Sequence, residues 1–157
     1  MAENSIFTGR EIAFLKELHK RGVDYMIVGA AAGALQGAPI VTQDIDLWFK
    51  DLADPGLKRA LAKVGGVIVA PVGLHPPTFA GGAVELFDIV LTMHGLGTFD
   101  EEMEHTILVD LGRLPVRVLS LDRIIKSKEA VGRPKDVLTL PVLKDALATI
   151  KKRKRSK

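Results

Sequence analysis

The chain has no cysteine, which excludes disulfides, thiolate zinc sites and a cysteine nucleophile. It has no hydrophobic run of membrane-spanning length, and its start, Met1-Ala2-Glu3-Asn4-Ser5, is too polar for a signal peptide. A cytoplasmic protein with no membrane partner is the expectation. No Gly-x-x-x-x-Gly-Lys loop and no dinucleotide fingerprint occurs. Ser5, Ser120, Ser127 and Ser156 sit in no nucleophile elbow. His19, His75, His94 and His105 stand too far apart for metal-ligand spacing, and none is assigned a role. No internal repeat and no second domain is visible.

What is present suits one globular domain. The 157 residues are 47% apolar and 26% charged, enough to enclose a single core. Net charge is +3 but unevenly placed: six basic residues fall in Lys151-Lys152-Arg153-Lys154-Arg155-Ser156-Lys157, and without them acidic residues are in excess. Residues 1–150 are read as the domain and residues 151–157 as a disordered basic tail. Two roles stay open for the tail, a solvated, frayed end or a contact for nucleic acid or another polyanion.

Residues 8 to 21 predict a helix. Thr8 and Glu11 have capping-box spacing, Phe7 and Ile12 that of a hydrophobic staple, and Ile12, Leu15 and Leu18 form an apolar stripe. Tyr25–Val28 reads as a buried strand, Gly29-Ala30 as a turn into a small-residue helix, and residues 41–49 as the next strand. Asp54-Pro55 opens a helix that Gly65-Gly66 stops. Strands are expected at 67–72 and 84–91, with a loop from His75 through Gly82 between them. Two more follow at 106–109 and 116–119. Ser120 is expected to cap a helix to Val131, and a last helical region after Pro134 is expected to break at Pro141. Such alternation predicts an α/β or α+β domain with a mixed sheet flanked by helices.

Three aspartates carry the chemistry. Asp44 and Asp46 lie in Thr42-Gln43-Asp44-Ile45-Asp46-Leu47-Trp48-Phe49, and Asp88 lies in Leu86-Phe87-Asp88-Ile89-Val90. On a strand Asp44, Asp46 and Trp48 share one face, with Ile45, Leu47 and Phe49 on the other. Adjacent carboxylates repel and are costly to bury. A hard divalent cation such as Mg²⁺, whose shell is commonly completed by phosphate oxygens, makes the arrangement favourable. The bland alternatives are loop caps, surface ion pairs or, for Asp88, backbone donors. Glu85, nearer the loop, is the weaker stand-in for Asp88. Trp48 either stacks on a base or closes the edge of the core. Gly29 permits close backbone approach, and the helix start after it suits phosphate.

In sequence order, Val28-Gly29-Ala30, Asp44-Ile45-Asp46 and Asp88 resemble the nucleotidyltransferase superfamily that includes DNA polymerase β. Its signature is a strand, Gly-Ser or Gly-Gly, a helix, Asp-x-Asp and a later carboxylate. The chain is also similar to small stand-alone prokaryotic nucleotidyltransferases, including toxins of abortive-infection systems, which carry a lysine-containing helix followed by Gly-Arg-Pro-Lys-Asp. Here that segment reads Lys126-Ser127-Lys128-Glu129-Ala130-Val131-Gly132-Arg133-Pro134-Lys135-Asp136. The likeness spans residues 8 to 145. It implies the nucleotidyltransferase fold and two-metal transfer of NMP from an NTP, ATP being one candidate. Asp44 and Asp46 would bind Mg²⁺ (or Mn²⁺) and the triphosphate. Asp88 would bind the second metal and help activate the acceptor hydroxyl. Gly29, Ala30, Lys128 and Arg133 would bind the nucleotide, the last two neutralising its charge. The acceptor would be RNA, a protein or a small molecule, and a toxin would add an antitoxin or partner subunit. On residues alone, Lys126, Lys128, Arg133 and Lys135 suit a solvated helix end equally well.

Three departures stand against that likeness. Ala30 offers no hydroxyl, Ile40 and Val41 occupy the place where relatives often carry an arginine, and no second domain follows. Beside an active enzyme, two readings therefore remain: a fold that binds nucleotide or nucleic acid without turnover, and a protein-interaction subunit.

Overall fold

The reciprocal bonds of the Thr8–Glu11 capping box are both made, with the Thr8 amide donating to Glu11 Oε1 at 2.9 Å. They start helix α1, Gly9–Lys20, which buries Phe14, Leu15 and Leu18. This computed structural model describes residues 7–155; Met1–Ile6 and the end of the basic run, Ser156 and Lys157, lie outside the described residues. After α1 come β1 (Tyr25–Val28), α2 (Gly29–Leu35), β2 (Ile45–Phe49), α3 (Pro55–Lys63), β3 (Val67–Val69), β4 (Thr78–Ala80) and β5 (Phe87–Val90). The chain continues through α4 (Phe99–Met103), β6 (Thr106–Asp110), β7 (Pro115–Leu119), α5 (Leu121–Val131) and α6 (Pro134–Arg155).

Five strands form one mixed sheet in the order β5-β2-β1-β7-β6, and β3 and β4 form a separate antiparallel ribbon. β2 runs antiparallel to β1 and parallel to β5, while β7 runs parallel to β1. The alternation in β2 then sorts its residues. Ile45, Leu47 and Phe49 are buried, and ring contacts link Phe49 to Phe79, Phe79 to Phe14 and Phe14 to Phe87. Trp48, on the Asp46 face, is also buried and meets Phe99 edge-on at 5.7 Å. Its role is core closure, so the base-stacking alternative falls away.

Several expected boundaries change, each for a local reason. Asp44 precedes β2 instead of lying in it, and its backbone carbonyl accepts from Thr42 Oγ1. The strand expected at 84–91 begins only at Phe87, because turns at Gly81 and Val84 bond the amides of Val84 and Phe87. Residues 78–80, expected as loop, pair with Val67–Val69 and bury Phe79. Helix α4 was not expected, yet Thr98 and Glu101 form a second capping box. Ser120 stands at the N-cap of α5 without capping it. Its hydroxyl donates to Asp122, and the Leu121 amide instead donates to Gln36 Oε1 at 3.0 Å. Gln36 Nε2 also donates to Leu119 O, so this side chain clamps the end of α2 to the β7–α5 junction.

Helix α6 runs through Pro141, where a break was expected. A proline here removes one bond and crowds the carbonyl four residues back. That residue, Val137, is exposed, so its carbonyl can turn to water. Beyond the proline, Leu143 is fully buried, and Leu140, Leu147 and Ile150 pack against the core at helical spacing. That apolar row carries the helix past the proline. It also carries Lys151–Arg155 in helical form, where a disordered tail is the sequence expectation.

Candidate active site

The β2–β5 register brings two of the three aspartates together. Asp46 lies directly opposite Asp88 on neighbouring parallel strands, and Val28, the last residue of β1, lies opposite Asp46 on the other side. Gly29 follows with φ +69°. A Cβ built there would fall on Asp46 Oδ2. The glycine is thus required twice, by its left-handed backbone and by the carboxylate against it. Gly29→Ala should cost about 1–3 kcal/mol from the backbone strain alone and push Asp46 out of place. Urea unfolding, read beside nucleotide binding, checks both.

Electrostatics tie in Asp44 as well. The Asp46 carboxyl is pushed up to about 6, first by burial, then by the charges of Asp88 and Asp44, with Lys128 and Lys135 pulling the other way. Asp88 is also raised, by partial burial and by Asp44. Among the described residues no donor bonds any of these three carboxylates. The alternatives of loop caps and backbone-satisfied aspartates therefore find no support.

The sign of the linkage is testable. With a folded value near 6 against an ordinary 3.8, the folded chain binds more protons than the unfolded chain between those limits. Stability from this group is therefore lost as pH rises from about 4 to about 6. Asp136 and Glu102, held low by their arginine partners, act in the opposite sense but are common to parent and variant. In metal-free buffer the stability gap in favour of Asp46→Asn should widen across that window and level off above it. A pH-independent gap in chemical denaturation would show that Asp46 is not desolvated.

Facing Asp46 is a cavity of about 240 Å³ lined by Gly29, Thr92, His94, Ser127, Lys128 and Arg133, among others. The cationic wall depends on Asp136, which is completely buried at the start of α6. Arg133 Nε donates to Asp136 Oδ2 at 2.8 Å and Lys128 Nζ to Oδ1 at 3.2 Å. Lys128 is 17% exposed and Arg133 54%, so one is fixed in the wall and the other reaches into solvent. The solvated-helix-end alternative thus fails for Lys128. Ala30, half-buried in the first turn of α2, offers only its backbone. Asp136 was present in the Arg-Pro-Lys-Asp segment, but nothing in the residue pattern marked it as the anchor of both cations. His94 reaches the cavity rim without any sequence signal.

For a divalent cation, the chemistry of the donor set is suitable although no ready-made cage exists. Among the described residues no three His, Cys, Asp or Glu side chains stand as a preformed metal group. Mg²⁺ does not need one, since it commonly takes one or two carboxylates and completes its shell with water and substrate phosphate. Asp46 and Asp88, neighbours across the ladder and mutually repelled, with no protein donor, are such a pair.

A mixed sheet with paired carboxylates beside a strand–glycine–helix turn, flanked by helices, is the nucleotidyltransferase fold. Solved structures bear this out. The antibiotic-resistance factor ANT(2'')-Ia is similar both in a crystal structure with adenylyl-2''-tobramycin (TM-score 0.62, 18% identity, 89% of this chain and 88% of that one) and in solution (TM-score 0.61, 16% identity, 99% and 96%). An antigenic nucleotidyltransferase-like protein from Paracoccidioides brasiliensis is similar as well (TM-score 0.54, 18% identity, 94% and 88%). No family model and no curated protein matches the sequence. Among the described residues, no helix is long and apolar enough to cross a membrane.

Proposed function

We propose that this protein is a divalent-metal-dependent nucleotidyltransferase that moves NMP from an NTP to a hydroxyl acceptor. The observation that carries the reading is Asp46 set opposite Asp88, without a protein donor, facing a cavity whose other wall holds Lys128. Gly29 lets the triphosphate approach the backbone. Lys128, held by Asp136, and Arg133 offset the charge that grows on the departing pyrophosphate. Asp88, the more exposed of the pair, takes the proton from the acceptor hydroxyl. The acceptor oxygen bonds the α-phosphorus as the bond from that phosphorus to pyrophosphate breaks. Mg²⁺ or Mn²⁺, held by Asp46 and Asp88 with Asp44 beside them, would lower the pKa of that hydroxyl and neutralise developing charge.

RNA, protein and small molecules are all candidate acceptors. The adenylylated aminoglycoside in the ANT(2'')-Ia crystal structure supports including small polyhydroxyl compounds. In a toxin, the same site would be masked by a cognate antitoxin. The test offers each α-labelled NTP, with Mg²⁺ or Mn²⁺, to RNA, protein and aminoglycoside acceptors and follows pyrophosphate. Label on one acceptor class with equivalent pyrophosphate is the expected result. Ala30 and the absence of an arginine near Ile40 favour binding without turnover, which would show as nucleotide binding with no pyrophosphate. The exposed apolar row Val67, Val69, Val72 and Leu74 favours an interaction subunit instead, which would show neither.

A further inference from the structure

We propose that the last turn of α6 is an anchor for the phosphate backbone of a nucleic acid. Lys151, Lys152, Arg153, Lys154 and Arg155 are helical, and all five are exposed. At about 100° per residue, five consecutive positions point in every direction around the axis. Exposure at all of them leaves each of these cations reachable from solvent. Even Arg153, which borders the groove beside Gly37 and Pro39, is exposed. No acidic residue occurs between Ala146 and Arg155, so the helix supplies no opposite charge one turn back. Like charges at i and i+4, Lys151 and Arg155, destabilise a helix by a few tenths of a kcal/mol. A polyanion removes that repulsion.

Two other partners fit less well. A membrane-surface helix needs an apolar face opposite its basic one. Here the turn is basic all round, and Ile150, the apolar residue next to it, is already packed against the core. An acidic protein surface would match the charge but not the axial layout. α6 carries Asp136 in its first turn, beside the cationic wall of the cavity, and ends at Arg155 in the basic turn, a rise of about 28 Å between the two residues. That is a little under one turn of duplex, about 34 Å, so a backbone held at the anchor reaches the cavity within one turn. Base identity plays no part, because phosphate contacts carry no sequence information. The anchor stands apart from the transfer chemistry and needs neither nucleotide nor metal.

The test measures anisotropy of a labelled short RNA hairpin, a DNA hairpin of the same sequence and polyglutamate of matched charge, each titrated with the full chain in EDTA at rising salt. Four phosphate contacts predict that affinity falls roughly 50- to 150-fold between about 50 and 200 mM salt. The variant Lys151→Gln, Arg153→Gln, Lys154→Gln, Arg155→Gln should lose most of that salt dependence, while Lys144→Gln on the same helix should keep it. Circular dichroism and melting confirm that the variant remains folded. RNA above DNA, DNA above RNA and the two alike all support the anchor, and a difference between them tells which duplex form it prefers. Polyglutamate bound as tightly as nucleic acid would assign the turn to an acidic protein and overturn the proposal. So would a variant that binds hairpins like the parent, or a parent that binds neither hairpin. Loss of NMP transfer in other assays leaves these outcomes untouched.

Discussion

Asp46→Asn is expected to slow NMP transfer by about 10³-fold or more while the domain folds and gains stability. The rate loss should reach or exceed the 10²- to 10³-fold typical of removing one preorganised electrostatic donor, because an amide is a poor ligand for a hard divalent cation. The stability gain has a separate origin. Burial and the charges of Asp88 and Asp44 push the Asp46 carboxyl up to about 6, so at neutral pH the folded chain carries a charge it disfavours. Removing it is worth on the order of 1–3 kcal/mol. Asp88→Asn should match the loss of rate with a smaller gain, since Asp88 is exposed. The measurement pairs single-turnover transfer with urea unfolding of the same preparations. A fast Asp46→Asn enzyme would move the chemistry away from this strand pair. An unfolded one would make the aspartate structural.

The sequence revealed this site through spacing, because strand alternation and a glycine before a helix are local rules. Asp46 and Asp88, forty-two positions apart in number, become neighbours only through the parallel β2–β5 ladder. That pairing is a long-range choice which no single stretch encodes. The same division explains the misses. Ser120 had the right residue type for a cap, yet Gln36 takes the amide from a distant helix end. Pro141 had the right type for a break, yet Leu143 is buried just beyond it and Val137, four residues back, is exposed. Residues 78–80 sit among prolines and glycines, and only the burial of Phe79 against the rings of Phe14 and Phe49 gives them a strand. Helix α4 was legible: Thr98-Phe99-Asp100-Glu101 is a capping-box spacing. In the other misses a tertiary partner outweighed local preference.

Asp136→Ala should cost about 3–5 kcal/mol, the usual penalty for breaking a buried ion pair from one side. Asp136 is fully buried and holds two cations, but they are not equivalent. Arg133, more than half exposed, can swing into water with little loss. Lys128, 17% exposed, keeps its ammonium near the wall, where it still acts on the Asp46 carboxylate. Two results follow from that asymmetry. The double variant Asp136→Ala, Lys128→Met should recover part of the stability, because it removes the uncompensated charge, whereas Asp136→Ala, Arg133→Met should recover little. The KM for the NTP should also rise in Asp136→Ala, since a lysine drawn toward Asp46 no longer faces the leaving phosphates. For a domain of this size total stability is about 5–15 kcal/mol, so Asp136→Asn is the milder probe if the alanine variant does not fold. Equilibrium unfolding of six proteins (the parent, Asp136→Ala, Lys128→Met, Arg133→Met and the two double variants) forms a double-mutant cycle on each cation. If both cycles gave the same coupling, Lys128 and Arg133 would share the carboxylate equally, and the fixed cation in the cavity wall would have to be sought elsewhere.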